Sequence, residues 1–340
     1  MHKNKLLFAV AVWSLVCASL AMADDVITEP FEGVRLTHSK SMTPRQVDMW
    51  VVEIDPHAPG ISFLVTPSNG DLIGDTTPET TRAFVTRVGA QIGINGSFFT
   101  MAAKGAESKG QYDVLGLSAS KGDAYSPFKR SFTDAINISK DNVPTIIHGT
   151  GKARKVATLV IASSPNPLSK GEGQKKDAAD KKDASAKKEK EPEPDVGFSH
   201  TPNVKLYNAL SGKTRLVENG KNVAGNAPEI HPRTGIGIEA DGKILLFTVD
   251  GREKGRSLGM KFSEMADAMI HFGAKDAISL DGGGSTTFVM DDPKTAANDP
   301  KVMNLPCDPF PNAKETGKDH GKERPTGNNL AVFARKRSTP

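Results

Sequence analysis

Apolar and polar positions change period several times along the chain, and each change predicts an element. Residues 46–55, with Val47, Met49, Trp50, Val51, Val52 and Ile54, alternate weakly and read as a strand. Residues 61–65 are its expected hairpin partner across a Pro/Gly-containing turn. Thr77-Pro78-Glu79-Thr80 opens a helix with a cap candidate, Pro at the first helical position and an early acid. That helix runs to about Val88 and Gly89 ends it. Short strands are expected at 90–94, 114–118, 135–138, 144–147, 156–162 and 204–210. Residues 235–239 and 243–249 flank Ala240-Asp241-Gly242 as a hairpin. Phe262, Met265, Ala266, Met269, Ile270 and Phe272 recur at helical spacing, and Gly273 closes that helix. Residues 277–280 form a buried strand that runs straight into Asp281. The pattern predicts an α+β fold, a mixed β-sheet core with flanking helices.

Two segments stand outside it. Residues 1–23 read as a secretory signal peptide: Lys3 and Lys5, an apolar stretch at 6–20 broken by Ser14 and Ser19, then Ala21-Met22-Ala23. An uncleaved anchor is the alternative. Cleavage would start the mature chain at Asp24 and send it to the periplasm or beyond. No other apolar run approaches the ~20 residues of a membrane-spanning helix. Residues 168–195 contain no aromatic and no β-branched residue, and interleave eight Lys with eight acids. Such a stretch buries too little apolar surface to offset ordering entropy, so it reads as a disordered surface insertion in one domain of residues 24–340.

Composition narrows the function. With 37% hydrophobic and 25% charged residues the chain is neither fibrous nor wholly disordered. Lys plus Arg exceed Asp plus Glu by 4, or by 2 without Lys3 and Lys5, too little to suggest nucleic-acid binding. Cys307 is the only Cys after the leader and makes no internal disulfide.

Three constellations carry candidate chemistry. Asp281-Gly282-Gly283-Gly284-Ser285-Thr286 places a carboxylate beside a loop whose backbone N–H groups can cradle an anion. It is not a P-loop, since no Gly-Lys-Ser/Thr follows, and the spacing does not suit a dinucleotide. A tight turn capped by Asp is the plainer alternative. Pro232-Arg233-Thr234 and Asp250-Gly251-Arg252 close the outer ends of the 235–249 hairpin. Arg233, Asp250 and Arg252 can therefore converge on a phosphate or carboxylate, or Arg233 and Asp250 can simply pair. Asn95-Gly96 offers a donor and an acceptor to a sugar, with Phe98 and Phe99 as an apolar wall. Metal-ligand spacing is poor. Asp291, Asp292 and Asp299 offer oxygens of the kind Ca²⁺ takes, but a solvated acidic loop explains them better.

In order and spacing these segments resemble the phosphodiester glycosidase family. The resemblance also takes in Asn208-Ala209-Leu210-Ser211-Gly212, Ser257-Leu258-Gly259-Met260 and Glu323-Arg324-Pro325-Thr326-Gly327-Asn328-Asn329, over about residues 85–335. Lys261 departs from it, standing where a small hydroxyl residue usually opens the helix. The resemblance implies an exported hydrolase that cleaves a sugar 1-phosphodiester, acting on glycan or exopolysaccharide material without a cofactor. Asp281 and Asp250 are the expected carboxylates, and Arg233 and Arg252 the phosphate clamp. Thr234 and the loop Gly282, Gly283, Gly284, Ser285, Thr286 would anchor the substrate, with Asn95, Arg324 and Asn328 beside it. Two other readings use the same cleft: an envelope protein that only binds anionic polysaccharide, and a transferase that passes the sugar to an alcohol.

Overall fold

A computed structural model describes residues 24–42, 44–102, 110–150, 199–295, 298–309, 311 and 320–337. The leader, the 156–162 strand and the 168–195 insertion lie outside these residues.

The expected helix-flanked α+β arrangement is overturned. The described residues form twenty-one strands and two α-helices, Thr81–Val88 and Phe262–His271. Strand pairing is antiparallel throughout, in three main sheets. The largest runs in the order Asp24–Phe31, Val34–Ser41, Val47–Ile54, Ile244–Val249, Arg233–Glu239, Ala274–Ser279, Arg215–Glu218, Lys221–Asn222. A five-stranded sheet runs Lys301–Val302, Phe288–Met290, Ile92–Asn95, Asn329–Phe333, Ser62–Val65, and a six-stranded sheet is centred on Asp134–Ile138 and Asn208–Gly212.

Sheets cover one another, which is why so few helices are needed. Trp50, Ile236, Leu246 and Ile278 of the large sheet share one core with Phe63, Ile94 and Leu330 of the second and Ile136 and Leu210 of the third. Alternate residues face the other way, as the pleat requires. Val51, Leu245 and Phe247 there pack under Met265 and Met269 of the longer helix. Each helix thus covers a patch on one outer face, and neither builds the central core.

Several boundaries move. The first helix is capped by Thr80, whose Oγ1 accepts the Ala83 N–H at 3.2 Å, rather than by Thr77. Gly89 closes it at φ 74°. Residues 62–65 pair with Asn329–Phe333, not with 47–54, whose neighbours are Val34–Ser41 and Ile244–Val249. Residues 114–118 divide into the ends of two strands, and the strand expected at 204–210 begins only at Asn208. The first two strands, Asp24–Phe31 and Val34–Ser41, carry no clear apolar alternation and go unmarked by the pattern. The expected hairpin at 235–249 and helix at 262–272 are present, with Glu264 Oε2 accepting the Lys261 N–H at 2.9 Å. That bond does part of the capping that Lys261 lacks a hydroxyl to do.

On either side of residues 151–198 the chain is paired with itself. Gly149 faces His200, and the Thr150 N–H donates to Ser199 O at 3.0 Å.

Candidate active site

Strand Ala274–Ser279 leaves the large sheet, passes Asp281 and a single 3₁₀ turn at Gly283–Ser285, and enters the five-stranded sheet as Phe288–Met290. The glycine loop is thus a crossing between sheets. Gly283 has φ 64°, and its N–H donates to Pro232 O at 2.9 Å, tying the loop to the start of strand Arg233–Glu239. At Gly284 a Cβ would lie 2.1 Å from Arg324 Nη2 and 2.3 Å from Asp308 Oδ1. Only glycine lets that ion pair, itself joined by two bonds of 2.8 and 2.9 Å, rest on the loop.

A cavity of about 590 Å³ opens beside this crossing, and Phe98, His231, Arg233, Arg252, Phe262 and Asp281 are among its walls. Arg233 is buried, with its guanidinium 3.8 Å above the centre of the Phe262 ring. Its Nε donates to Met260 O at 3.0 Å and its Nη2 to Glu229 O at 2.8 Å. Burial lowers its pKa to about 10, with Arg252 pushing the same way. Arg252 is exposed, at φ 64°, and its Nη2 donates to His231 Nδ1 at 3.3 Å. Burial, then the two guanidiniums, hold His231 below its ordinary pKa, so it stands neutral among cations.

Asp281 brings the carboxylate. Burial raises its pKa to about 6, against the pull of Ser285, the Gly282 N–H and Arg324. Its Oδ1 accepts the Gly282 N–H at 2.9 Å. Most of the expected backbone donors are used within the fold: the N–H groups of Gly282, Gly283, Ser285 and Thr286 bond to Asp281 Oδ1, Pro232 O, Gly282 O and Gly283 O. Attraction for an anion comes instead from guanidinium side chains.

The other expected residues divide. Asn95 is fully buried: its Nδ2 donates to Asp281 O at 2.8 Å, and its Oδ1 accepts from Thr234 Oγ1 at 2.7 Å and Thr287 N–H at 3.1 Å. Asn328 is equally buried, accepting the Ser97 N–H at 2.7 Å and donating to Ser118 Oγ at 3.1 Å. Both hold segments together and neither faces the cavity; the same is true of the Thr234 hydroxyl. Ser285 and Thr286 are buried in the crossing.

Asp250 makes no pair with Arg233. Its carboxylate meets Asn304 Nδ2, the Leu305 N–H and Arg256, and it is not among the cavity walls. Burial raises its pKa to about 7. Asp291, considered for Ca²⁺, faces the Lys336 ammonium at 3.2 Å, so a cation already stands there. Among the described residues no group of three or more His, Cys, Asp or Glu is placed to hold a metal.

Sequence reasoning passed over His231, Glu229, Asn304 and Asp308. Of these, His231 alone had a signal, since it adjoins the Pro232-Arg233-Thr234 segment.

Comparison with known proteins agrees with this arrangement of segments. Over 61 residues the chain is 43% identical to human N-acetylglucosamine-1-phosphodiester alpha-N-acetylglucosaminidase, a stretch that is 18% of this chain and 12% of that enzyme. Over 56 residues it is 43% identical to the SPbeta prophage-derived uncharacterized protein YomE of Bacillus subtilis, covering 16% of this chain and 8% of that one. The chain therefore matches only a small part of these relatives' length. The catalytic domain of zebrafish N-acetylglucosamine-1-phosphodiester alpha-N-acetylglucosaminidase superposes with a TM-score of 0.54 at 18% identity, over 91% of this chain and 85% of that one. A hypothetical protein from Synechocystis gives 0.54 at 16% identity, over 89% and 62%. At these identities the likeness to solved structures is one of fold. The family model described as phosphodiester glycosidase matches residues 88–333, from the first helix through the glycine loop to the last strand, and on that match the chain belongs to the phosphodiester glycosidase family.

Proposed function

We propose that this chain, exported by its leader, hydrolyses a sugar 1-phosphodiester in glycan or exopolysaccharide material. The observation that carries the reading is the shared cavity: a half-buried carboxyl with pKa about 6, Asp281, faces the same space as Arg233 and Arg252.

The chemistry suits those groups. Water adds its oxygen to the anomeric carbon while the bond from that carbon to the phosphate oxygen breaks, and a phosphomonoester leaves with the electron pair. This leaving group is weakly basic, so it needs little protonation. What it needs is charge stabilisation, which Arg252 and Arg233 supply at the mouth and wall of the cavity. Asp281 acts at the sugar, either taking the proton from that water as it adds, or attacking the carbon first as the phosphomonoester leaves, to give a glycosyl ester that water then cleaves to free sugar and carboxylate. Its raised pKa leaves it largely ionised above neutral pH and ready for either role. The Phe98 and Phe262 rings give the sugar an apolar wall, and neutral His231 adds a polar group without opposing charge.

The test is direct. The purified mature chain is incubated with a panel of sugar 1-phosphodiesters, and release of free sugar and phosphomonoester is followed. Release from at least one is expected; none from any would refute hydrolysis. Export is tested separately by N-terminal sequencing of the mature form, which should begin at Asp24.

A further inference from the structure

Asp250 is anchored on every side and yet faces away from the cavity. Its N–H donates to Asp48 O at 2.9 Å, and its carbonyl accepts from Ser257 Oγ at 2.7 Å. Its Oδ1 accepts from Asn304 Nδ2 at 3.0 Å, and both carboxylate oxygens lie 3.0 Å from the Leu305 nitrogen. Arg256 Nη2 stands 3.3 Å from Oδ2 and also 3.3 Å from the second buried carboxylate, Asp48, which His38 meets at 2.5 Å on its other side.

Asn304 carries the connection onward. Its Nδ2 also donates to Thr286 O at 3.1 Å, and its Oδ1 accepts the Phe288 N–H at 2.7 Å. One side chain thus binds Asp250, the end of the glycine loop and the start of the next strand. Four residues later Asp308 holds Arg324 on Gly284, and Arg324 is the cation whose field reaches the Asp281 carboxylate.

We infer that Asp250 is a positioning residue: through Asn304 it fixes the 304–308 segment on the glycine loop, and so sets the Asp308–Arg324 pair beside Asp281. It does this without touching substrate. The inference deepens the proposed hydrolysis and rests on it.

A residue that works through a neighbour differs from one that works on substrate in two ways. First, a conservative replacement rescues it. The Asn side chain in Asp250→Asn still accepts from the Leu305 N–H, so kcat/KM should fall only a few-fold, against roughly 10- to 100-fold for Asp250→Ala, the scale on which misplacing a site costs rate. Second, it is coupled. Asn304→Ala should cost about as much as Asp250→Ala, and the double variant little more than either, because both break one connection.

The assay is steady-state kinetics on the sugar 1-phosphodiester that the wild type cleaves best, with folding checked by thermal melting. If Asp250→Ala does not fold, Asn304→Ala with and without Asp250→Asn completes the cycle. Equal losses in Asp250→Asn and Asp250→Ala, or additive losses with Asn304→Ala, would overturn the inference. A wild type that cleaves nothing would sink the hydrolysis instead. The clamp is then read from inorganic phosphate binding by calorimetry in the same variants. Weakening by Asn304→Ala, not increased by Asp250→Ala, supports it, and affinity unchanged from wild type refutes it.

Discussion

The side chain of Asn95 donates to the main-chain oxygen of Asp281 across 2.8 Å, joining residues 186 positions apart. The same carboxamide accepts from Thr234 and Thr287, 139 and 192 positions away. One buried side chain therefore fixes the end of the Arg233–Glu239 strand, the backbone of Asp281 and the exit of the glycine loop. Each hydrogen bond of this kind contributes about 1 kcal/mol net, but a lost partner leaves a buried group unpaired at about 1–3 kcal/mol. Geometry at Asp281 is accordingly set by a residue that is not among the cavity walls.

Asp281→Asn keeps shape and removes charge. Under the proposed mechanism kcat should fall by about 10²–10⁴-fold, the usual loss for an acid–base group, while KM changes little. Asn caps a turn as well as Asp does, so a merely structural Asp281 would give near-normal kcat. Measuring both constants on a folded variant decides between them.

The two arginines should separate. Arg252 is exposed and sits at φ 64°, where a side chain adds strain. Arg252→Gly should melt at or above the wild-type temperature and raise KM in a salt-dependent way. Arg233→Ala takes the donor from Met260 O and Glu229 O and bares the Phe262 ring. It should lose about 1–3 kcal/mol of stability along with both kcat and KM performance. Equal melting temperatures for the two would contradict this assignment.

Gly284→Ala puts a carbon where Arg324 and Asp308 meet. Because the obstructed atoms are side-chain ends, the fold should survive with a small drop in melting temperature. The displaced pair should lower kcat/KM on the order of 10- to 100-fold. Full activity in this variant would mean that the pair's seat on the loop does not matter.

For Asp250 the folded pKa, about 7, lies above the ordinary value of 3.8. Between those values the native chain holds a proton that the unfolded chain has released, so this group's contribution to stability falls as pH rises from about 4 to about 7. Asp250→Asn cannot titrate. The unfolding free energy of the variant relative to wild type should therefore move in the variant's favour across that window and level off above it. Urea titrations at pH values inside and above the window test the slope; a difference independent of pH would remove the basis for the shifted carboxyl.

Residues 168–195 should be dispensable. The strands on either side of residues 151–198 pair at Gly149 and His200, so the chain enters and leaves at one place. Shortening such a connection changes closure entropy by only about 0.6 kcal/mol per halving. The deletion should leave melting temperature and turnover nearly as they were, and a large fall in either would show that this segment packs.

What the sequence made legible was local. The 233–249 hairpin could be read because Ala240-Asp241-Gly242 and the apolar residues beside it specify each other within a few positions, and the 262–271 helix because Met265 and Met269 share a face. The glycine loop stood out by composition alone. Pairing over long distances could not be read: nothing in residues 61–65 names Asn329–Phe333 as their neighbour, and nothing at Asp250 names Asn304. The helix-flanked expectation failed for a related reason. An apolar alternation says that a face is buried, not whether a helix or another sheet buries it. Asn95 drew attention as an Asn at a strand end and Asn328 through the family resemblance, both as sugar contacts; here they are internal braces whose bonding capacity is used within the fold.

The order of strands in the five-stranded sheet also bears on when the chain can fold. Asn329–Phe333 lies between Ile92–Asn95 and Ser62–Val65, bonded to both. During synthesis those two strands emerge early and must wait for almost the whole remaining chain before their common partner exists. Contacts of such long sequence separation form slowly, and the sheet cannot close around a missing middle strand. In a nascent chain of this topology the five-stranded sheet stays open until residues 329–333 are made. The late strand thus works as a delay built into the order of synthesis: this sheet reaches its native order only once residues 329–333 are there to pair.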